Sequence, residues 1–402
     1  MRQLDFIGPG QVEWRDVPEP KLQGDGEALV RPVAVATCDL DVSLLRGTMT
    51  LFEGPFPFGH EGVALVVDVG AAVSAVRPGD LVVVPFQISC GICSACGRGH
   101  TANCTAVPQG SMYGLQPFGG EWGGFVSDLV RVPFADAMLV PVPEGVDPAA
   151  IASCSDNVPD GLRTVGPALE QQPGAAVLVV GGGAPSVPLY AVALAVVLGA
   201  GRVDYLDTDP ARLERASALG AQVVDELAPR RLGPYPITVD ASGTADGLGC
   251  ALRSTAPDGV CTSIGIFVQD TPVPLLEMYT NVVTFRTGRV HARPAIPKIL
   301  ELVADGRFHP EAVTSAVVGW DDAELVEAVE RFDAVAGAEL GQGALHIGLD
   351  GVAGEPEGCS YLGVGLAHRD VSQDVVLPSR QRVLPQLAGE QLADLPGPGA
   401  RT

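Results

Sequence analysis

The sequence predicts an α/β protein in which a mostly-β half precedes a doubly wound parallel-sheet half. From Met1 to about Pro143, short runs of alternating apolar residues are separated by Gly and Pro, as in all-β domains. After about Asp147, apolar strands alternate with helical patterns, which is the order of a parallel sheet covered by helices. The 402 residues suffice for two domains at roughly 150 residues each.

The elements follow in chain order. In the first half the predicted strands are Ala28–Ala36, Gly62–Val69, Asp80–Val84 and Val126–Val132. In the second half the predicted strands are Ala176–Val180, Arg202–Leu206, Gln222–Val224 and Ile237–Asp240. The predicted helices are Val187–Leu198, Ala211–Leu219, Ile296–Asp305 and Ala323–Ala334. From about Gly341 the apolar residues follow neither a helical nor a strand period, and we expect a mobile extension there.

Composition excludes several classes of protein. Apolar residues make up 47% of the chain, which excludes wholesale disorder. The formal net charge of −23 disfavours binding to nucleic acid or to anionic lipid. We find neither a transmembrane span nor a signal peptide and expect a cytoplasmic protein. Reducing conditions favour metal binding over disulfides for clustered cysteines.

Four cysteines are concentrated in one short segment. Cys90, Cys93, Cys96 and Cys104 have the spacing C-x2-C-x2-C-x7-C. Loops this short can fold four thiolates around one tetrahedral Zn²⁺ and leave no position open for substrate. The spacing therefore predicts a structural zinc site rather than a set of free thiols.

A second set of metal-ligating residue types is scattered along the chain. Cys38 follows a predicted strand, His60 and Glu61 precede the next strand, and Cys154 and Asp156 lie where the pattern changes. One thiolate, one imidazole and one further Cys or Asp would form a catalytic zinc site with an open fourth position. Spacing alone does not establish this site, because lone cysteines are usually small buried apolar groups.

A glycine-rich turn follows the predicted strand Ala176–Val180. In the register G-x-G-x-x-G its glycines are Gly181 and Gly183, Ser186 replaces the third glycine, and Val187 begins the helix. A turn two residues longer would place Pro188 at the third position instead. Backbone amides of such a turn, together with a helix N-terminus, can bind a pyrophosphate. These four residues are therefore candidates for binding a dinucleotide.

An acidic residue ends the next predicted strand. Asp207 lies 26 residues after Gly181, where a carboxylate can bind both ribose hydroxyls and would repel a 2′-phosphate. This position favours NAD over NADP, and Arg212 is placed to cover the adenosine. The alternative is that Asp207 caps the helix that starts near Pro210.

These motifs, in this order, resemble those of the zinc-containing medium-chain dehydrogenase/reductase family of the alcohol dehydrogenase type. The resemblance covers about Asp5 to Asp333. It rests on Cys38 with Asp41, the segment Gly59–Gly62, the four-cysteine lobe and the glycine-rich turn.

The resemblance implies a fold and a domain organisation. The expected architecture is a GroES-like catalytic domain joined to a Rossmann NAD-binding domain. The expected bounds are 1–155 and 291–345 for the catalytic domain, 88–106 for its zinc lobe, 156–290 for the Rossmann domain and 346–402 for the extension. The runs Val260–Ile266 and Asn281–Thr287 resemble edge strands that pair across a dimer, which implies a homodimer or homotetramer.

The resemblance also implies roles for residues near the second zinc. Cys38 and His60 would be zinc ligands, with Asp41 and Glu61 as carboxylates close to the metal that orient the ligands. Some family members use Cys as the third ligand. Others, such as certain formaldehyde dehydrogenases, use Asp in a setting that the segment Ser155–Gly161 matches.

That match favours Asp156 over Cys154 as the third ligand. The catalytic residues expected from the resemblance are thus Cys38, Asp41, His60, Glu61 and Asp156. The expected cofactors are two zinc ions per chain and NAD.

One position departs from the family pattern. Alcohol dehydrogenases often carry Ser or Thr two residues after the first ligand as a proton relay, and this chain has Leu40. A proton must therefore leave through another group, for which Thr37, Ser43, Asp160 or a water chain are candidates.

The leading hypothesis is a zinc-dependent oxidoreductase that transfers hydride between NAD(H) and an alcohol, aldehyde or ketone. A first alternative keeps zinc and a retained cofactor but carries out internal redox, dismutation or elimination. A second alternative is a non-catalytic relative that only binds a nucleotide or a partner protein.

Overall fold

The structure is a computed structural model that describes residues 1–49, 51–115 and 119–319, together with the backbone of Ala344–Gly348. The predicted helix Ala323–Ala334 lies outside the described residues, and so does the predicted extension apart from that short backbone segment. The described residues belong to one compact unit that spans Met1–Gly351. The domain boundaries within this unit stay a prediction.

The described residues form sixteen strands and eight helices. The first half contributes β1 (Arg2–Gly8), β2 (Gln11–Asp16), β3 (Ala28–Thr37), α1 (Asp39–Leu45), β4 (Phe56–Pro57), β5 (Glu61–Val69), β6 (Leu81–Val84), β7 (Val130–Val132), α2 (Ala135–Met138) and β8 (Val140–Pro141). The second half contributes α3 (Asn157–Gln171), β9 (Ala176–Val180), α4 (Ser186–Val197), β10 (Arg202–Asp207), α5 (Pro210–Ala218), β11 (Gln222–Asp225), β12 (Tyr235–Asp240), α6 (Ala245–Ser254), β13 (Thr255–Ser263), α7 (Leu275–Thr280) and β14 (Thr284–Arg286). The described chain ends with α8 (Ala292–Ala304), β15 (Thr314–Gly319) and β16 (Ala344–Gly348).

The mostly-β half is built around a seven-stranded sheet. Its strands follow the order β15-β16-β3-β5-β6-β8, with β7 beside β3, and a small sheet β2-β1-β4 accompanies it. The predicted strand Val126–Val132 begins only at Val130, because the amides of Phe125 and Val126 bond to the carbonyls of Gly59 and Phe58 instead. The last two strands return to this sheet from the far end of the chain.

The second half is a six-stranded parallel sheet in the order β11-β10-β9-β12-β13-β14. The strand order reverses at β9, so a crevice opens beyond the carboxyl ends of β9 and β12, where such sheets bind ligands. The predicted α/β class, with a mostly-β half and a doubly wound half, is confirmed.

Helix α3 connects the two halves and was not predicted from the sequence. It contains Pro159, Gly161, Gly166 and Pro167, which all lower helix propensity. Gly161 has a packing reason: a Cβ there would lie 3.0 Å from the backbone nitrogen of Ala191 on α4. Tertiary contact between two helices therefore outweighs local propensity here.

None of the helices in the described ranges combines the length and the apolarity that a bilayer span requires.

The start of β5 offers a direct test of packing. A Cβ at Gly62 would lie 2.5 Å from Cδ1 of the buried Phe125 ring. We expect Gly62→Ala to lower the free energy of unfolding by about 1–3 kcal/mol, because an overpacked core must shift. Gly26→Ala is the control, since its Cβ meets nothing within 4 Å. Urea denaturation measures both variants, and equal stability would contradict the packing described.

Candidate metal centre and dinucleotide cleft

Cys38 lies at the junction of β3 and α1. Its thiol sulfur accepts the backbone N–H of Leu40 at 3.3 Å, as an N-cap does. The carboxylate of Asp41 accepts the Cys38 backbone N–H through Oδ2 at 2.9 Å. This reciprocal cap fixes the direction of the thiol and buries Asp41 completely.

His60 lies beside Cys38 at the entry to β5. Its Nε2 is 3.4 Å from Cys38 Sγ and 3.6 Å from Asp156 Oδ2. Zinc bonds of about 2.3 Å to sulfur and about 2.1 Å to nitrogen or oxygen place tetrahedral ligand atoms about 3.4–3.6 Å apart. The other ring nitrogen, Nδ1, faces Asp41 Oδ1 at 3.3 Å. The distances from His60 Nε2 to Cys38 Sγ and to Asp156 Oδ2 therefore each fit a pair of ligands of one zinc ion.

The cluster around His60 contains buried acidic groups whose negative charge is not neutralised by enough positive charge or hydrogen bonds. Glu61 is fully buried, its Oε2 accepts the N–H of Asn157 at 3.0 Å, and its Oε1 has no hydrogen-bond partner. Burial, together with the nearby charge of Asp156, raises the pKa of Glu61 well above its usual range. Burial likewise raises the pKa of the Cys38 thiol to about 12. A divalent cation would stabilise the ionised form of each of these groups.

Two overlapping donor groups share this imidazole. One consists of Cys38, Asp41 and His60, and the other of His60, Glu61 and Asp156. The remaining candidate, Cys154, belongs to neither group.

Cys154 packs instead in the apolar core. Its thiol is fully buried, and burial raises its pKa far above the ordinary value. Of the two candidates for the third ligand, the structure brings Asp156 to His60 and leaves Cys154 in the core.

The four-cysteine lobe forms a second donor set. The sulfur atoms of Cys90, Cys93, Cys96 and Cys104 lie within 4.8 Å of one another, and all four cysteines are free. Backbone amides of Cys93 and Cys90 donate to Cys90 Sγ and Cys104 Sγ, each at 3.4 Å. Hydrogen bonds from the amides of Cys96 and Thr105 lower the pKa of Cys93 to about 5. Four sulfurs in this arrangement could hold a zinc ion with no open position.

The glycine-rich turn lies at the carboxyl end of β9. A Cβ at Gly181 would lie 2.5 Å from Asp207 Oδ2, and one at Gly183 would lie 2.4 Å from the carbonyl oxygen of Ser242. Both positions therefore require glycine. Helix α4 begins at Ser186, and Val187 lines the cleft in front of it.

A contact between the two halves closes this turn, and sequence reasoning missed it. Asp39 Oδ2 accepts both the backbone N–H and the hydroxyl of Ser186, each at 2.9 Å. Desolvation raises the pKa of Asp39 to about 6, although the two Ser186 donors oppose that shift. The two residues are separated by 147 positions, so no local pattern could have indicated the contact.

Asp207 ends β10 as predicted, but its carboxylate is already engaged. Oδ1 accepts the amides of Thr208 and Asp209, Oδ2 accepts the hydroxyl of Tyr205 at 2.8 Å, and Arg212 donates to both oxygens at 2.7 and 2.8 Å. Although burial raises the pKa of Asp207, these donors lower it overall. A ribose can bind Asp207 only by replacing one of these contacts.

Two cavities meet at the candidate metal centre. One, of about 340 Å³, contains Cys38, Asp156 and the glycine-rich turn. The other, of about 620 Å³, extends away from Asp156 and has a mainly apolar lining that includes Leu40, Phe52 and Phe86. Leu40 lines both cavities.

Comparison with known proteins places these sites in context. Residues 24–144 match the family described as alcohol dehydrogenase GroES-like domain. A probable zinc-binding alcohol dehydrogenase of Mycobacterium tuberculosis is 30% identical over 347 residues, 85% of this chain and 87% of that protein. A glutathione-independent formaldehyde dehydrogenase of Pseudomonas aeruginosa is 35% identical over 240 residues, 56% of this chain and 58% of that protein.

The fold has solved relatives as well. The alcohol dehydrogenase TADH from Thermus sp. ATN1 superposes with a TM-score of 0.74 at 29% identity. The match covers 87% of this chain and all of that structure.

The buried pair of Asp207 and Arg212 generates a prediction about stability. We expect Arg212→Ala to lower the free energy of unfolding at pH 7 by about 3 kcal/mol, because it leaves a buried carboxylate unpaired. The pKa of Asp207 is lowered in the folded state, so its stabilising contribution is present above the ordinary value of 3.8 and is lost as pH falls further. The deficit should thus be greatest near pH 7 and shrink as the pH falls to about 4 and below, where Asp207 is protonated.

Arg230→Ala is the matched control for this measurement. Arg230 pairs with Glu277 on the surface and is 75% exposed, so its loss should change stability by about 1 kcal/mol or less. Equal effects of the two variants in urea denaturation would contradict the buried pairing.

Proposed function

The chain belongs to the zinc-containing medium-chain dehydrogenase/reductase family of the alcohol dehydrogenase type, and on that premise we propose that it is a zinc-dependent oxidoreductase that transfers hydride between NAD(H) and an alcohol, aldehyde or ketone. The observation that carries the proposal is the position of His60 Nε2, which lies within 3.6 Å of both Cys38 Sγ and Asp156 Oδ2.

The residues of the centre have distinct tasks in this proposal. Cys38, His60 and Asp156 would hold the zinc, and Asp41 would position two of them through the Cys38 amide and His60 Nδ1. Glu61 shares a donor group with His60 and Asp156, and a bound cation would stabilise its ionised form and be retained by that charge. When bound, zinc supplies Lewis-acid polarisation of a substrate oxygen, and the nicotinamide supplies the hydride acceptor or donor.

A separate structural zinc is proposed for Cys90, Cys93, Cys96 and Cys104, which makes two zinc ions per chain. Its role is to hold the lobe together, since four thiolates complete a tetrahedron.

A hydroxyl group on α1 is suited to the proton transfer. Ser43 follows Leu40 by three residues, so both lie on one helix face, and both line the cavity at Cys38. Asp160 also lines that cavity, but its carboxylate is paired with Arg163. We therefore assign the relay to Ser43, which takes the proton of the substrate hydroxyl and passes it toward solvent.

The larger cavity indicates the substrate class. Beside Asp156 and Asp160, its lining near the centre includes the apolar side chains of Leu40, Phe52 and Phe86, against which a substrate carbon chain could pack. We therefore propose a substrate with a sizeable apolar group rather than a one-carbon substrate.

The adenosine end of the cleft favours NAD over NADP. Nε and Nη2 of Arg212 donate to Asp207, and Nη1 pairs with Asp209 at 3.4 Å. The negative charge of Asp207 would repel a 2′-phosphate. The ribose role of Asp207 remains part of this proposal.

A homo-oligomer also remains part of this proposal. Strand β14 is an edge of the parallel sheet, and exposed apolar side chains lie beside it: Leu275, Leu276, Tyr279 and Val282. An edge strand with such neighbours is suited to pairing with a second copy.

Metal content tests the proposed centre and its third ligand. We expect the native protein to hold two zinc ions per chain and Asp156→Ala to hold one, because the lobe keeps its own ion while the second site loses a ligand. Cys154→Ala is the control and should keep both ions. Elemental analysis of purified protein measures the ratio. The assignment would be wrong if Cys154→Ala lost an ion while Asp156→Ala kept both.

The proton relay has its own test. We expect Ser43→Ala to lower kcat for a medium-chain primary alcohol by about a hundredfold with little change in KM, as for loss of a proton-transfer group. Thr48→Ala is the control, since its hydroxyl donates to the Ser43 carbonyl at 3.1 Å outside the cavity. NADH absorbance measures both rates. An unchanged kcat for Ser43→Ala would reject Ser43 as the relay.

A further inference from the structure

The backbone amides from Gly183 to Ser186 in the glycine-rich turn are already occupied. Gly183 and Ala184 both donate to the carbonyl of Ala241 at 3.1 Å, and Pro185 has no N–H. The Ser186 N–H donates to Asp39. From Gly183 to Ser186, every backbone donor is therefore either absent or bound to a group of the protein itself.

The group bound to Ser186 is an anion. Asp39 Oδ2 receives two hydrogen bonds at the first turn of α4, which is the arrangement in which a helix N-terminus binds a phosphate oxygen. Ser186 stands at the third position of the G-x-G-x-x-G register, and a glycine there would offer no hydroxyl. The pairing of these two residues thus supplies the turn with a carboxylate in the place where a pyrophosphate would bind.

The acidic lining of the neighbouring cavity also disfavours a pyrophosphate at this turn. The cavity in front of the turn is lined by Asp39, Asp156 and Asp160, and its described lining contains no Lys or Arg. A pyrophosphate that entered beside a retained Asp39 would lie close to a like charge in a partly desolvated cleft. Such a juxtaposition is strongly unfavourable.

The contact also extends to the metal centre. The side-chain amide of Asn157 donates to Ser186 Oγ at 3.1 Å, while its backbone N–H donates to Glu61 Oε2. Asp39 itself directly follows Cys38. Ser186 is therefore connected to the candidate zinc site through two separate routes.

We propose that the carboxylate of Asp39 occupies the pyrophosphate position of this turn, so that a nicotinamide dinucleotide binds only by displacing Asp39 from Ser186. The inference rests on the proposed use of NAD(H). It makes Asp39 a determinant of cofactor affinity: the intact chain binds the dinucleotide weakly, and loss of the Asp39 charge strengthens binding.

Binding of NADH to the zinc-loaded full-length protein tests this proposal. We expect Asp39→Asn, which keeps the acceptor but removes the charge, to lower the Kd for NADH at least about tenfold at low salt. Asp39→Ala should lower it at least as far. Energy transfer from tryptophan to NADH, with calorimetry as a second readout, measures the affinity independently of turnover.

Two controls separate this effect from a general change in charge. Asp246→Asn removes an exposed carboxylate in the first turn of α6, and it should leave the Kd for NADH within about twofold of the native value. Adenosine is the second control, because it lacks the pyrophosphate. Its affinity should be equal for the native protein and for Asp39→Asn.

The outcomes are distinguishable. Tighter NADH binding by Asp39→Asn, with unchanged adenosine binding, supports the proposal. Equal or weaker NADH binding by Asp39→Asn overturns it and leaves the proposed NAD-linked function intact. If neither protein binds NADH while zinc content is normal, both the inference and the proposed use of NAD(H) are wrong.

Discussion

The structure depends on the electrostatics of one buried imidazole. Around His60 lie the thiol of Cys38 and the carboxylates of Asp41, Glu61 and Asp156, and all of these except Asp156 are almost completely buried. Burying several acidic groups together costs far more free energy than one imidazolium can offset. A divalent cation would neutralise the negative charge of these groups. The N-cap of α1, the entry to β5 and the start of α3 each contribute donor atoms to its site.

The same groups couple the metal centre to the cleft for the dinucleotide. Asn157 bonds to Glu61 through its backbone and to Ser186 through its side chain, so one residue at the start of α3 touches both sites. Asp39 completes the connection, because it follows a candidate zinc ligand and bonds to the first turn of α4. Geometry at the metal and access to the glycine-rich turn are therefore set by one polar network, whose members come from both halves of the chain.

Local patterns predicted much of this molecule, and non-local contacts account for what they missed. The four cysteines, the glycine-rich turn and Asp207 were identifiable because their chemistry depends on short spacing. Helix α3 was missed because its prolines and glycines disfavour a helix in isolation, while packing against α4 stabilises it. The partners of Asp39 and Asp207 could not be predicted, because a carboxylate at a suitable position does not reveal which internal donor will reach it first.

The central claim is that the cluster around His60 holds zinc, and X-ray absorption at the zinc edge of the intact protein tests it most directly. Two ions per chain, one in the lobe and one bound by Cys38, His60 and Asp156, give an average of about 2.5 sulfurs per zinc at about 2.3 Å. The same spectrum should contain nitrogen or oxygen neighbours at about 2.0–2.2 Å. A spectrum of four sulfurs per zinc, with no lighter neighbour, would mean that only the lobe binds the metal and would contradict the account.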